Sequence, residues 1–365
     1  MSAETPNSAH EESETPKTTR SRAQPADPLI GQTAGRYHIL GALGRGAASV
    51  VYLAERVTSD EPTTPEQTSE PTPRFALKAL TIPADTPEED CEALRLSFLR
   101  ETQIAQRLKH PHILAVVDVG VIEGRPYLVM PYIAGPTLAK LLITRHGPLS
   151  LDDTITYVTQ TASALDYAHE RGIIHRDVKP SNLLLDGALA NVYLTDFGIA
   201  SLQDGGAQLL GPAADPTTLT IAGTTIGTPS YMAPEQIKGE RVSAATDIYA
   251  LGVVAYQLVT GETPFQGKTP LQVAARHVSE APPAPRLLRA DLPTPVETAI
   301  LKALAKSPAD RFTTAGAFAE ALAKGLRGKR GPRTPSERSG SRLAQPLRRL
   351  RALLTPDDSQ PAESP

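Results

Sequence analysis

Residues 175–182 read HRDVKPSN and residues 194–198 read LTDFG. Between His175 and Gly198 the chain therefore presents an acid (Asp177), a cation (Lys179), an amide (Asn182) and a second acid (Asp196). Carboxylates can take up a proton or hold a hard cation, an amide oxygen adds a neutral ligand, and an ammonium group offsets anionic charge. A polar loop with incidental charges is the bland alternative, and the number and order of these groups argue against it. Short apolar runs before Gly135 read as strands, and beyond Gly135 the pattern becomes mainly helical.

The chain has 365 residues, a formal net charge of −3 and 40% hydrophobic residues, enough for one large domain or two modest lobes. The near-balanced charge gives no case for nucleic-acid binding. A single cysteine, Cys91, rules out an intramolecular disulfide framework and suggests a reducing compartment. Residues 1–28 are polar and lack the apolar centre of a secretory signal. The longest apolar stretch, Ile248 to Val259, is too short to span a bilayer and contains Gln257. A soluble, cytoplasmic protein is expected.

The 34 prolines are unevenly spread and help to set boundaries. Residues 1–35 are expected to form a disordered tail, and residues 58–74 a disordered insertion between two strands. The folded unit is expected at 36–325, and 326–365 is a basic, Pro/Gly-rich tail. Strands are expected at Tyr37–Leu43, Ser49–Glu55, Arg74–Thr81, Ala115–Val121 and Pro126–Met130. Thr86-Pro87-Glu88-Glu89 reads as a helix start, with Thr86 as cap and Glu89 completing a capping box. In the helix that follows, Leu94, Phe98, Glu101, Ala105 and Leu108 share one face, which puts a carboxylate where a cationic partner is needed. Ser150 caps a further helix carrying Ile155, Val158, Ala162 and Leu165, and Ile248–Thr260 is apolar nearly all round, as a buried central helix would be. Strands first and helices after indicate an α+β protein in two segregated lobes, with ligand between them.

With these motifs in view, the chain from about Tyr37 to Phe318 resembles the bacterial eukaryotic-type (Hanks-type) Ser/Thr protein kinases. The resemblance implies the two-lobed protein kinase-like fold: a small β-rich N-lobe (36–131) and a larger, mainly helical C-lobe (134–325). It implies ATP and Mg²⁺ as cofactors, with Mn²⁺ as an alternative metal, and protein substrates. Leu43, Gly44, Gly46, Ser49 and Val51 correspond to the glycine-rich loop over the phosphates, with Ser49 replacing the third glycine. Two close glycines are a weak signal alone, since a glycine hairpin without function is as good a reading. Ala76 and Lys78 lie in the strand whose lysine holds phosphates while pairing with the helix glutamate, here Glu101. Met130 takes the gatekeeper position, Pro131 and Ile133 would read the adenine edge through their backbone, and Leu184 is a further expected ATP-binding residue. Pro131 stands where many relatives have an acid; it keeps the carbonyl that adenine recognition uses.

On the same resemblance, Asp177 accepts the substrate hydroxyl proton, Lys179 neutralises charge on the transferring group, and Asn182 and Asp196 hold metal. Thr228 should bridge Asp177 and Lys179, Glu235 should pair with Arg311, and Asp247 should accept backbone N–H groups from the catalytic loop. Residues 201–226 are long and loose, and Thr218, Thr220, Thr224 and Thr225 are expected sites of autophosphorylation, with Arg176 offering a cation to the phosphate. An ungated mobile loop is the alternative. In the tail, Leu343, Leu347, Leu350 and Leu354 recur among arginines. Residues 342–354 read either as a basic amphipathic helix for an anionic membrane or acidic partner, or as a solvated tail. The expected function is a Ser/Thr protein kinase in cytoplasmic signalling. Its competitors are a pseudokinase acting as a nucleotide-gated binding module, and a small-molecule kinase. The full set Lys78, Glu101, Asp177, Asn182 and Asp196 argues against the first, and the 227–235 segment against the second.

Overall fold

A computed structural model describes residues 27–46, 48–57, 73–82, 86–197 and 229–327. Thr218, Thr220, Thr224, Thr225, Thr228, the 342–354 segment and most of the 58–74 insertion lie outside the described residues.

The N-terminal portion is an antiparallel sheet of β1 (Thr33–Ala34), β2 (Tyr37–Arg45), β3 (Ser49–Arg56), β4 (Arg74–Leu80), β5 (Asp118–Ile122) and β6 (Arg125–Pro131). The order across it is β1-β2-β3-β4-β6-β5. Strict alternation along β3 sends Val50, Tyr52 and Ala54 to one face, where they join Ile39, Leu77, Ala79 and Val129 in a buried cluster. The other face packs on α1 (Glu88–Arg107) through Leu80, Phe98 and Leu128. Each large side chain buried this way contributes about 1.5–3 kcal/mol. The sheet thus has a covered back and a front that shares space with α1 and the rest of the chain.

Several boundaries differ from the sequence expectation. Residues 27–35 are part of the fold rather than of a disordered tail: Leu29 and Ala34 are buried on the back of the sheet. The segment also pairs with β2 through Thr33 and Ala34, and its polar composition hid these contacts. The strand expected from Ala115 begins at Asp118, although Val117 N–H still donates to Val129 O at 2.8 Å. Thr86 does not cap α1. The flanking residue is Pro87, with no side-chain cap, and Glu88, Glu89 and Asp90 in the first turn favour the helix dipole instead.

In the helical portion, α3 (Leu151–His169) and α5 (Ala244–Thr260) pack with α7 (Thr294–Ala303) and α8 (Ala315–Arg327). Ser150 does cap α3, its Oγ accepting from Asp153 N–H at 3.0 Å. The central helix starts at Ala244, earlier than the apolar run suggests, because the polar turn Ala244–Asp247 is itself buried at Thr246 and Asp247. Two short strands, β7 (Leu183–Leu185) and β8 (Val192–Leu194), form a separate ribbon. No helix among the described residues is long and apolar enough to cross a membrane.

One buried ion pair ties this portion together. Arg311 forks onto Glu235 in α4 (Pro234–Lys238) at 2.7 and 2.8 Å, both side chains nearly inaccessible. Arg311 also donates to the carbonyls of Ala245, Ala305 and Lys306, and Glu235 accepts from Thr246 Oγ1. Burial alone would raise the Glu235 pKa, but the Arg311 fork outweighs it and holds the carboxyl below its ordinary value. Its contribution to stability is therefore present above the ordinary glutamate range and is lost as pH falls through the lower folded-state pKa. Glu235→Gln leaves the guanidinium charge uncompensated and should cost about 3–5 kcal/mol. Urea unfolding at neutral pH measures this, and the gap between wild type and variant should narrow as the pH is lowered.

Candidate active site

The strand register decides what faces the cleft. Val51 lies opposite Lys78, and Ala76 lies opposite Met130, so these four residues share the front face of the sheet. The turn joining β2 to β3 is closed by Gly46 N–H donating to Ser49 O at 2.7 Å. Leu43 and Gly44 in the arm leading into it are exposed. Pro131 ends β6, Ile133 follows in the linker, and half-buried Leu184 comes up from β7.

Lys78 joins two carboxylates. Its Nζ donates to Glu101 Oε1 at 3.0 Å and to Asp196 Oδ1 at 2.7 Å. Burial pulls the Lys78 pKa down, but the charges of Asp196 and Glu101 outweigh it and raise the pKa. The two acids are not equivalent. For Glu101 burial prevails over Lys78 and pushes the pKa up, whereas for Asp196 the attraction of Lys78 overcomes burial and pulls it down. Asp196 is the nearer partner, and attraction between opposite charges grows as they approach. It is also the more open of the two, with 46% of its side chain exposed against 17% for Glu101.

A second cluster lies on the loop leading into β7. Lys179 Nζ contacts Asp177 Oδ2 at 2.7 Å, and Asn182 Nδ2 donates to the same oxygen and to Asp177 O, each at 2.9 Å. Asp177 keeps 44% of its side chain exposed while its orientation is held from two sides. The clusters are joined through Thr195, whose N–H donates to Asn182 O at 2.9 Å.

Beneath the loop, buried Asp247 accepts N–H from His175 and Arg176, both at 2.8 Å, and His169 Nε2–H at 2.7 Å. His175 Nε2–H donates to Thr195 O, leaving Nδ1 to accept Asp177 N–H at 3.3 Å. Arg176 (φ 66°) and Asp196 (φ 55°) take left-handed backbone conformations, a strain of about 1–3 kcal/mol each that the surrounding bonds must hold.

A sequence model described as the protein kinase domain matches residues 37–323. The chain belongs to the protein kinase domain family. It is 37% identical over 288 residues to serine/threonine-protein kinase PrkC of Bacillus subtilis, covering 79% of this chain and 40% of that protein. It is 37% identical over 325 residues to serine/threonine-protein kinase PknF of Mycobacterium tuberculosis, covering 87% and 60%. The chain thus spans about half the length of the curated relatives it matches. Among solved structures, the PknI kinase domain of Mycobacterium tuberculosis superposes with a TM-score of 0.58 at 32% identity, covering 81% of this chain and 98% of that one. Rad53 1–466 in complex with AMP-PNP superposes with a TM-score of 0.58 at 25% identity, covering 79% and 64%. The two-lobed α+β fold expected from the sequence is the fold of this family.

Kinase motifs did not point to three residues that shape the site. Gly135 lets the linker pass against β7, since a Cβ there would collide with Leu185 O. Gln236 accepts from Ala233 N–H and donates to Arg176 O at 2.8 Å, tying α4 to the residue before Asp177. Asp27, in the segment taken for a tail, reaches the glycine-rich hairpin. Each acts through a contact distant in sequence, so periodicity carries no trace of it.

Replacing Lys78 by Met removes the positive charge shared by Glu101 and Asp196. Both carboxyl pKa values should rise relative to wild type, the proton being held to higher pH without its cationic competitor. Carbon-13 NMR titration of the labelled carboxylates reads this directly, and unchanged titration of Asp196 would contradict the charge assignment.

Proposed function

We propose that this chain is a Ser/Thr protein kinase that transfers the γ-phosphoryl group of Mg·ATP to Ser and Thr hydroxyls of proteins in cytoplasmic signalling. The observation that carries this reading is the meeting of two polar clusters, Lys78–Glu101–Asp196 and Asp177–Lys179–Asn182, at the junction of sheet and helices. Asn182 offers an amide oxygen and Asp196 a carboxylate. These two hard oxygen ligands would suit Mg²⁺, which favours oxygen donors and binds through few protein ligands, and Mn²⁺ would accept the same donors. Bound Mg·ATP supplies the phosphoryl group and much of the charge neutralisation that its transfer needs.

The chain's own residues supply position and electrostatics. Lys78, kept protonated by its acidic partners, would hold phosphate oxygens, with Glu101 fixing its direction. Asp177 would orient the acceptor hydroxyl and take its proton, and its exposed edge leaves room for that hydroxyl. Lys179, already beside Asp177, would balance negative charge on the group in transit. Leu43, Val51, Ala76, Met130 and Leu184 would enclose the base, with the backbone of Pro131 and Ile133 at its edge.

The pseudokinase reading is disfavoured because Lys78, Glu101, Asp177, Asn182 and Asp196 are all present. Autophosphorylation at Thr218, Thr220, Thr224 or Thr225 belongs to the same proposal, with Arg176 as a cation adjoining the catalytic acid.

Asp177→Asn keeps the hydrogen-bonding outline but removes the proton acceptor. Transfer of phosphate to a generic basic protein should fall about 10²- to 10⁴-fold, with ATP binding retained. Mass spectrometry of the 201–228 segment should find phosphate on the wild type and none on the variant. Equal transfer by the two proteins would overturn the assignment.

A further inference from the structure

At the turn between β2 and β3, Leu43, Gly44, Arg45 and Gly46 are all exposed. Its position therefore depends on what its arms are tied to. Arg45, the last residue of β2 and the neighbour of Gly46, places Nη2 2.5 Å from Asp27 Oδ2. The Asp27 side chain is only 5% exposed. Tyr52 of β3 donates its phenol to the same carboxylate at 3.0 Å, and Leu29 N–H donates to Oδ1 at 3.1 Å. One carboxylate thus gathers both arms of the hairpin and the segment that covers the back of the sheet.

The contact lies behind the sheet. Tyr52 sits opposite Leu77 on the back face, whereas its neighbour Val51 sits opposite Lys78 on the front. The region matched by the protein kinase model begins at Tyr37, so Asp27 lies outside it. The carboxylate is also held in its charged form. Burial would raise its pKa, but Leu29 N–H, the Tyr52 phenol and Arg45 together outweigh burial and lower it. Tyr52 is pushed up to about 12 by burial and by the adjacent carboxylate.

We propose that Asp27 is a positioning residue for nucleotide phosphates: through Arg45 and Tyr52 it anchors the glycine-rich turn from the back of the sheet and so sets affinity for the phosphate end of ATP. This rests on the reading of the cleft as an ATP site. Asp27 touches no substrate; it fixes the height of a backbone whose N–H groups would meet the phosphates. Adenine recognition at the linker after β6 does not pass through this contact, so the effect is confined to the phosphates.

The test compares ATP with adenosine by titration calorimetry on the full chain, for wild type, Asp27→Asn, Arg45→Gln, the double variant and Arg45→Lys. Each of the first two should weaken ATP binding about three- to tenfold while adenosine changes by less than about twofold. The double variant should bind no more weakly than the poorer single one, as expected for two ends of one contact. Arg45→Lys, which keeps the charge, should recover much of the loss. Should Asp27→Asn not fold, the two Arg45 variants carry the comparison, because that side chain is largely in solvent. An unchanged ATP-to-adenosine ratio in Arg45→Gln, or losses that add in the double variant, overturns the anchor while leaving the ATP site intact. Failure of the wild type to bind ATP overturns both.

Discussion

The ammonium group of Lys78 is the meeting point of three segments far apart in sequence: β4, helix α1 and the residues after β8. A lysine on the front face of a sheet, a glutamate on the inward side of a helix and an aspartate in a left-handed backbone conformation are each unfavourable alone. Together they satisfy one another, and the burial of Lys78 and Glu101 is tolerable because each has a charged partner. The two acids sit differently: Asp196 is nearer to the ammonium group and more exposed, while Glu101 is deeper.

Below this contact the framework is arranged to hold backbone rather than side chains. Asp247 accepts two N–H groups from the loop that carries Asp177, Gln236 captures the carbonyl of Arg176, and Glu235 with Arg311 locks α4 in place. The consequence is an acid whose main chain is pinned from several directions while its carboxylate stays partly in solvent. Buried charge below thus fixes the position of a partly exposed carboxylate above.

Much of the site was legible because its motifs are local. The 175–182 run, the aspartate at 196 and the 234–235 pair each sit within a few residues of a turn or a helix start, where spacing alone constrains geometry. Glu101 was found by a different signal, a carboxylate on an apolar helical stripe. The misses share a cause as well. Thr86 looked like a cap because the sequence pattern does not report where the first turn closes, and Pro87 and three acids serve that end. Residues 27–35 looked like tail because composition averages over a window, whereas Leu29, Ala34, Asp27 and the pairing of β1 with β2 dock the segment.

From sequence alone came the α+β class, the order of strands before helices, and the identity of the charged groups, since these follow from hydrophobic period and from residue types at fixed spacing. Tertiary structure alone decided which of those groups touch. The division of Lys78 between two acids, the left-handed backbone at Arg176 and Asp196, and the reach of Asp27 to Arg45 all depend on contacts between residues remote in the chain. Such contacts are set by how faces pack once the sheet and helices exist, and no local pattern encodes their distances.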